Sequence, residues 1–329
     1  MCIKSRVLLL DCFTFWFFTI TISMATKYPT SAAYSNYRRP WTRKKPGSNK
    51  NDTEPTKFQR PTHFLCLPLG HHPGLREKMT RFQSSLLEGS VEGLDSSILI
   101  KPRRLHFTLG VMSLSPDDQS FNTSSTTSPP KTIESALELL QSLQPRLAAL
   151  CAIGRTGILE ASLERVGAFE SRNGARVMWV SPREKEEWPE SEGELEERLK
   201  LVRVAELVHG AFKNAGYITE NRPLKLHCTL INTSHRKPFH QRSQLFSFTD
   251  VLASNALLEL QPNEDGAQAT TSTLESSTSS STRIVRVALG TYTIPEIQLC
   301  AMGSYGPEDE YVSLGSVPFA AAGDGVVVL

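Results

Sequence analysis

With 329 residues, 39% of them hydrophobic and 21% charged, the chain has apolar material for a sizeable core, and its abundant Ser, Thr and Pro predict disordered insertions around a folded body. Lys plus Arg number 36 against 34 Asp plus Glu, a formal +2, so the chain is no polycation and any nucleic-acid contact must come from local patches. Its cysteines, Cys2, Cys12, Cys66, Cys151, Cys228 and Cys300, form no CxxC pair and no zinc-like cluster with histidine, which argues against a disulfide scaffold and a structural zinc site.

Residues 7–23, VLLLDCFTFWFFTITIS, are apolar like the core of a signal peptide. Asp11 interrupts the run, which is also short for a bilayer, so no stable membrane span is expected. Met24 offers an alternative start. From Met24 to Arg60 nine Lys/Arg stand against Asp52 and Glu54, and the run Arg38–Lys45 reads as a nuclear-localisation signal, an RNA-contacting arm or a solvated tail. The expected site of action is the nucleus or cytoplasm, with secretion as the alternative if residues 1–25 act as a signal. Sequons at Asn51, Asn122 and Asn232 matter only in the secretory case.

The apolar stretch plus basic tail, 1–60, precedes a body expected over 61–329. A short strand is predicted over 61–69 and a helix over 74–90, where Leu75, Met79, Phe82, Leu86 and Leu87 recur at helical spacing. A second strand covers 101–112, a low-complexity insertion 113–131 and a helix 132–150. Strands over 157–166 and 176–180 pair through a turn at 171–174. The strongest helix spans 191–215, with a capping box from Ser191 to Glu194 and a stripe of Leu195, Leu199, Val202, Ala205, Leu207, Val208 and Phe212. A strand over 223–232, a second insertion over 262–283 and strands over 284–292 and 296–302 complete the chain. Strands and helices interspersed in two comparable halves predict an α+β fold of two pseudo-twofold-related lobes, each with an antiparallel sheet and helices, around a central cleft.

The informative feature is Leu105-His106-Phe107-Thr108-Leu109, which recurs as Leu226-His227-Cys228-Thr229-Leu230. At average residue frequencies, two such matches among the eight histidines arise by chance about once in 10⁵. Side chains alternate along a strand, so His106 and Thr108 share one face while Leu105, Phe107 and Leu109 face the core. His227 and Thr229 divide from Leu226, Cys228 and Leu230 in the same way. If the lobes pair about a pseudo-twofold axis, two imidazoles and two hydroxyls meet in one cleft. Two histidines facing a phosphodiester can divide the proton transfers between base and acid, and the threonine hydroxyls can hold the phosphate oxygens. This chemistry requires no metal and no cofactor. Arg104 and Lys225, in basic runs just ahead of the motifs, are candidate substrate contacts or ordinary solvated strand ends, and Trp179 and Tyr311 are candidate base-stacking platforms, buried packing being the commoner fate of a strand Trp. His63 reads as structural, His71 and His72 as poor metal ligands, and Cys228 as a core thiol.

The paired motifs, with the flanking PTHFLCLPL, RRLHFTLGVMSL and PLKLHCTLINTS, resemble the 2H phosphoesterase superfamily of LigT-like 2′,5′-RNA ligases and cyclic phosphodiesterases. They are similar in particular to its A-kinase-anchor-protein-type branch, over about residues 61–318. The resemblance implies the bilobal fold, places His106, Thr108, His227 and Thr229 at the active-site positions, and implies hydrolysis of 2′,3′-cyclic phosphates or 2′,5′ linkages on RNA ends or nucleotides. It also implies protein partners in a transcription-coactivator or repair complex. Gly154-Arg155-Thr156-Gly157 mimics the GxxG loop of an RNA-binding KH module, but its setting in the body marks it as a turn. The other functional reading is a nucleotide- or RNA-binding adaptor with little or no turnover.

Overall fold

The computed structural model describes residues 60–115, 131–153, 158–184, 191–262 and 283–319. The N-terminal apolar run, the basic tail, the 154–157 tetrapeptide, the sequons at Asn51 and Asn122 and nearly all of both low-complexity insertions lie outside these residues. No described helix is long and apolar enough to cross a membrane.

The fold is α+β. Among the described residues eight strands, β1 (His63–Pro68), β2 (His106–Met112), β3 (Leu159–Ser171), β4 (Gly174–Ser181), β5 (Cys228–Asn232), β6 (Ile284–Ile294), β7 (Glu296–Ala301) and β8 (Ser313–Pro318), lie in the order β6-β3-β4-β5-β2-β1-β7-β8. Every strand pairing in this sheet is antiparallel. The order is a mirror about the seam between β2 and β5, where Phe107 pairs with Cys228. The lobes are therefore not the two sequential halves that the sequence predicts. One lobe is the contiguous set β3–β6, whereas the other joins β1 and β2 to β7 and β8 from the far end of the chain.

Six described helices accompany the sheet: α1 (Pro73–Glu88), α2 (Ile133–Ser142), α3 (Gln144–Cys151), α4 (Glu192–Asn214), α5 (Phe248–Ala253) and α6 (Asn255–Leu258). The helix expected over 132–150 breaks at Leu143, because Pro145 in the first turn of α3 cannot supply the backbone donor a continuous helix needs. In α4 the predicted capping box is present: the Ser191 hydroxyl accepts from the Glu194 amide at 3.3 Å, and the Glu194 carboxylate accepts from the Ser191 amide at 2.9 Å. Its buried stripe is rotated from the predicted one, with Leu201, Val204, Ala205, Val208 and Phe212 inside and Leu195 exposed. Buried His209 ties this helix to β2 through Nδ1, 2.7 Å from the Leu109 carbonyl oxygen.

Alternation sorts the sheet's two faces. Leu105, Phe107, Leu109, Cys228 and Leu230 are at most 2% exposed and belong to one continuous core, shared with residues of α1 to α6. On the opposite face Phe64, Cys66 and Cys300 form a small separate cluster with Val111 and Tyr311. The structure adds β8, α5 and α6 to the predicted elements, lengthens β3 to Ser171 and shortens the strands of both motifs. Pro102–Arg104 is a 3₁₀ turn ahead of β2, and residues 223–227 run to β5 without joining a ladder.

Candidate active site

The pairing of Phe107 with Cys228 fixes the site. One residue further each way, that antiparallel register sets His106 beside Thr229 and Thr108 beside His227, all four on the face away from the core. Each is part-exposed. The sequence thus brings its two motifs together at the seam between the lobes.

Both rings are held by the same device. His106 Nδ1 lies 2.6 Å from the Arg104 carbonyl oxygen, and His227 Nδ1 lies 2.8 Å from that of Lys225, each two residues back. A carbonyl only accepts, so each Nδ1 carries the proton and each Nε2 is left as the basic nitrogen. The Thr108 hydroxyl donates to His106 Nε2 at 3.1 Å. Burial pushes the His106 pKa down to about 4, against the opposing pull of the Arg104 carbonyl. Positive charge on His227 and Arg104 lowers it further. His227 is also lowered, by burial first and then by the Lys225 and Arg222 charges, partly offset by its own backbone hydrogen bond.

The aromatic and basic candidates fare differently. Tyr311 does face the site, its ring edge-on to His106 at 5.3 Å between centroids. The Arg104 side chain is not a free substrate contact: its guanidinium is buried between the rings of Tyr311 and Tyr305, 3.8 and 4.2 Å from their centroids, and donates to the Ser304 carbonyl at 2.8 Å. Its backbone oxygen does the positioning instead. Trp179 is fully buried, so it cannot be an open stacking platform. It pairs across strands with Thr229 on one side and Gly167 on the other, and only glycine leaves room there, since a Cβ at 167 would meet the indole at 2.5 Å. Lys225 is exposed, with its ammonium 5.0 Å from the Trp179 ring centre. Sequence reasoning missed Phe169, 41% exposed and edge-on to His227 at 5.4 Å, because a lone aromatic at the end of a strand carries no signal of its own. It also missed a cavity of about 440 Å³ whose walls include His106, Tyr311, Cys66, Cys300 and Gln298. That hollow depends on strands far apart in sequence. A larger one, about 670 Å³ along the first turns of α4, shares no residue with the histidines.

His63 is buried, with Nδ1 2.7 Å from the Thr62 hydroxyl, in keeping with a structural role. His72 is engaged through Nε2 with the Thr293 carbonyl at 2.7 Å. Cys228 is a buried thiol whose pKa burial pushes up to about 12.

A family model described as the AKAP7 2′5′ RNA ligase-like domain matches residues 61–319. The chain belongs to that family. It is thereby a member of the 2H phosphoesterase superfamily, as the paired motifs imply. Among solved structures, this AKAP7-type domain is similar to Escherichia coli LigT in complex with 3′-AMP, at 14% identity over 79% of this chain and 99% of that one, with a TM-score of 0.38. It is also similar to TT0787 of Thermus thermophilus, at 15% identity over 79% and 99%, with a TM-score of 0.38, and to E. coli LigT in complex with ATP, at 13% over 80% and 100%, with a TM-score of 0.37. No curated protein matches the chain.

Proposed function

We propose that the protein is a phosphodiesterase of RNA ends or nucleotides that hydrolyses 2′,3′-cyclic phosphates or 2′,5′ linkages by two-histidine acid–base catalysis. The observation that carries this reading is the shared orientation of the two imidazoles, each with Nδ1 tied to a backbone carbonyl and Nε2 left as the proton-transfer atom. In this mechanism the scissile phosphorus sits over the seam; Thr108 turns its hydroxyl from His106 Nε2 to one non-bridging oxygen, which opens Nε2, and Thr229 donates to the other. His106, the ring held down to about 4, is neutral at ordinary pH and takes the proton of the attacking water. His227 protonates the leaving oxygen. The hydrolysis balances: water adds to phosphorus, the P–O bond to the leaving hydroxyl breaks, and one proton passes from His227 to product as another passes from water to His106. The cavity beside His106 supplies room for the nucleoside, and Tyr311 forms part of its wall.

The test is turnover of 2′,3′-cyclic nucleotides and 2′,5′-linked oligonucleotides in EDTA, beside a His106→Ala/His227→Ala double variant. Turnover that survives EDTA and disappears in the variant is the expected result. Full activity in the double variant would falsify the mechanism, and tight binding without turnover would mark a nucleotide-binding adaptor instead.

A further inference from the structure

One row of the sheet runs outward from the seam along the cavity wall. Thr108 pairs with Cys66, Cys66 with Gln298 and Gln298 with Ser316, on β2, β1, β7 and β8 in turn. Residues paired across an antiparallel sheet share a face, so Gln298 lies on the face that carries the histidines, two strand spacings or about 10 Å from Thr108. Between them in the row stands the small thiol of Cys66. Cys66, Glu296 and Gln298 are all walls of the cavity of about 440 Å³ that also opens on His106.

A glutamine amide has a donor end and an acceptor end, and its orientation decides what it recognises. For Gln298 a neighbour settles the orientation. Its amide nitrogen donates to Glu296 Oε1 at 2.6 Å, two residues back on the same strand, and a carboxylate only accepts. The other Glu296 oxygen accepts from the Ser316 hydroxyl, which anchors the carboxylate to β8. Turning the amide over would set its oxygen against that carboxylate and lose a charge-assisted bond. The Gln298 carbonyl oxygen is therefore the end left for a ligand. Among the described residues its donor is the Cys300 thiol at 3.8 Å, a long bond from a weak donor that a ligand N–H readily replaces. One amide N–H remains beside it. Two other polar walls are already engaged, Arg103 with Glu308 at 2.5 Å and Glu310 with the Glu308 amide at 2.8 Å.

We infer that Gln298, oriented by Glu296, reads the base of the substrate and selects an exocyclic amino group beside a bare ring nitrogen, the edge that cytosine and adenine present. This rests on the phosphodiesterase reading above and adds a base preference to it. With the phosphate over the seam, the nucleoside extends along the row past Cys66 and its base edge meets Gln298. The carbonyl oxygen accepts from the amino group while the remaining N–H donates to the ring nitrogen. Uracil offers the reverse edge, a carbonyl oxygen beside an N–H, so two acceptors face each other and both are left unpaired. A mobile amide would turn over to suit uracil, and the bond to Glu296 prevents that. Gln298 is thus a specificity residue and Glu296 its positioning residue.

The experiment measures kcat/KM of the full chain for 2′,3′-cyclic CMP and 2′,3′-cyclic UMP, which differ at that edge alone, beside the variants Gln298→Ala and Glu296→Gln. The wild type is expected to favour the cytidine substrate about tenfold or more, the discrimination of one good bidentate base contact. Gln298→Ala should bring the ratio close to one. Glu296→Gln keeps the shape of the side chain but donates as well as accepts, so the Gln298 amide is free to turn over and the ratio should fall several-fold. A merely structural role would slow both substrates together and leave the ratio as it was. A wild-type ratio near one, or a preference that survives either variant, overturns the reading. If neither substrate turns over, calorimetric binding of 3′-CMP and 3′-UMP decides. A preference for 3′-CMP that both variants lose keeps the base reading while the catalytic one fails, and equal binding or none ends both.

Discussion

Cys66 and Trp179 occupy equivalent places across the seam. Each lies opposite a site threonine, Thr108 for Cys66 and Thr229 for Trp179. On their outer sides they pair with Gln298 and Gly167. The lobe of β3–β6 fills the space beside its threonine with an indole packed against a glycine. The other lobe places a small thiol there, 3.8 Å from the Cys300 thiol, and keeps a cavity beside its histidine. A duplicated frame has thus been made one-sided by a few side chains. The symmetric part, two imidazoles and two hydroxyls, suits a phosphate, which looks the same to both lobes. In the proposed mechanism the asymmetric part is what gives a nucleoside one side to occupy.

The strongest way to break the comparison is to remove one imidazole at a time. His106→Ala and His227→Ala should each reduce kcat by about 10² to 10⁴, the range of general acid–base catalysis, with a smaller change in KM. Unequal losses would show how differently the lobes contribute to the chemical step. Trp179→Ala should cost about 3 to 5 kcal/mol in denaturant unfolding, the usual penalty for emptying a buried aromatic site. The lobe of β3–β6 would then become hollow like its counterpart. Gly167→Ala probes the same packing more gently. Its methyl group displaces the indole, with an expected cost of about 1 to 3 kcal/mol and a lowered kcat if Trp179 is driven toward Thr229.

The smallest effect is a pH dependence. His106 and His227 titrate in the folded protein below the ordinary histidine value of 6.5, so below that value the unfolded chain binds more protons than the native one. Their contribution is fully present above pH 6.5 and is lost as pH falls through the lowered folded-state value of each ring, about 4 for His106. The slope is no more than about 1.4 kcal/mol per pH unit for each ring. Urea midpoints between pH 7 and 4.5 should therefore fall less steeply in the double alanine variant than in the wild type. A catalytic optimum on the acid side of neutrality is the companion expectation, because His227 must be protonated to act.

The shared face of the four candidate residues was legible because period-two alternation and a repeated pattern are local facts: His106 with Thr108, and His227 with Thr229, each stand opposite apolar neighbours that go to the core. The capping box of α4 and the turn joining β3 to β4 were legible for the same reason. What escaped depends on partners distant in sequence. The indole of Trp179 is buried because Gly167, on another strand, makes way for it. The Arg104 guanidinium is withdrawn because Tyr305 and Tyr311 arrive from the loop before β8. The predicted stripe of α4 was rotated because Lys200 and His209 are buried through hydrogen bonds to the Ile158 and Leu109 carbonyls, which hydrophobic spacing alone does not register.

The order of the strands sets an order of assembly. Everything needed for the lobe that holds His227, from β3 through β6, is contiguous and can pair as soon as Ile294 has left the ribosome. The lobe that holds His106 is made first in part and completed last: β1 and β2 must wait, with one edge unpaired, for β7 and β8 to be synthesised some two hundred residues later. Contacts closed across so long a loop form slowly. The two imidazoles meet at the β2–β5 seam and can stand side by side once Asn232 has been made, but the walls that Gln298, Cys300 and Tyr311 give the cavity beside His106 arrive only when almost the whole body has been made.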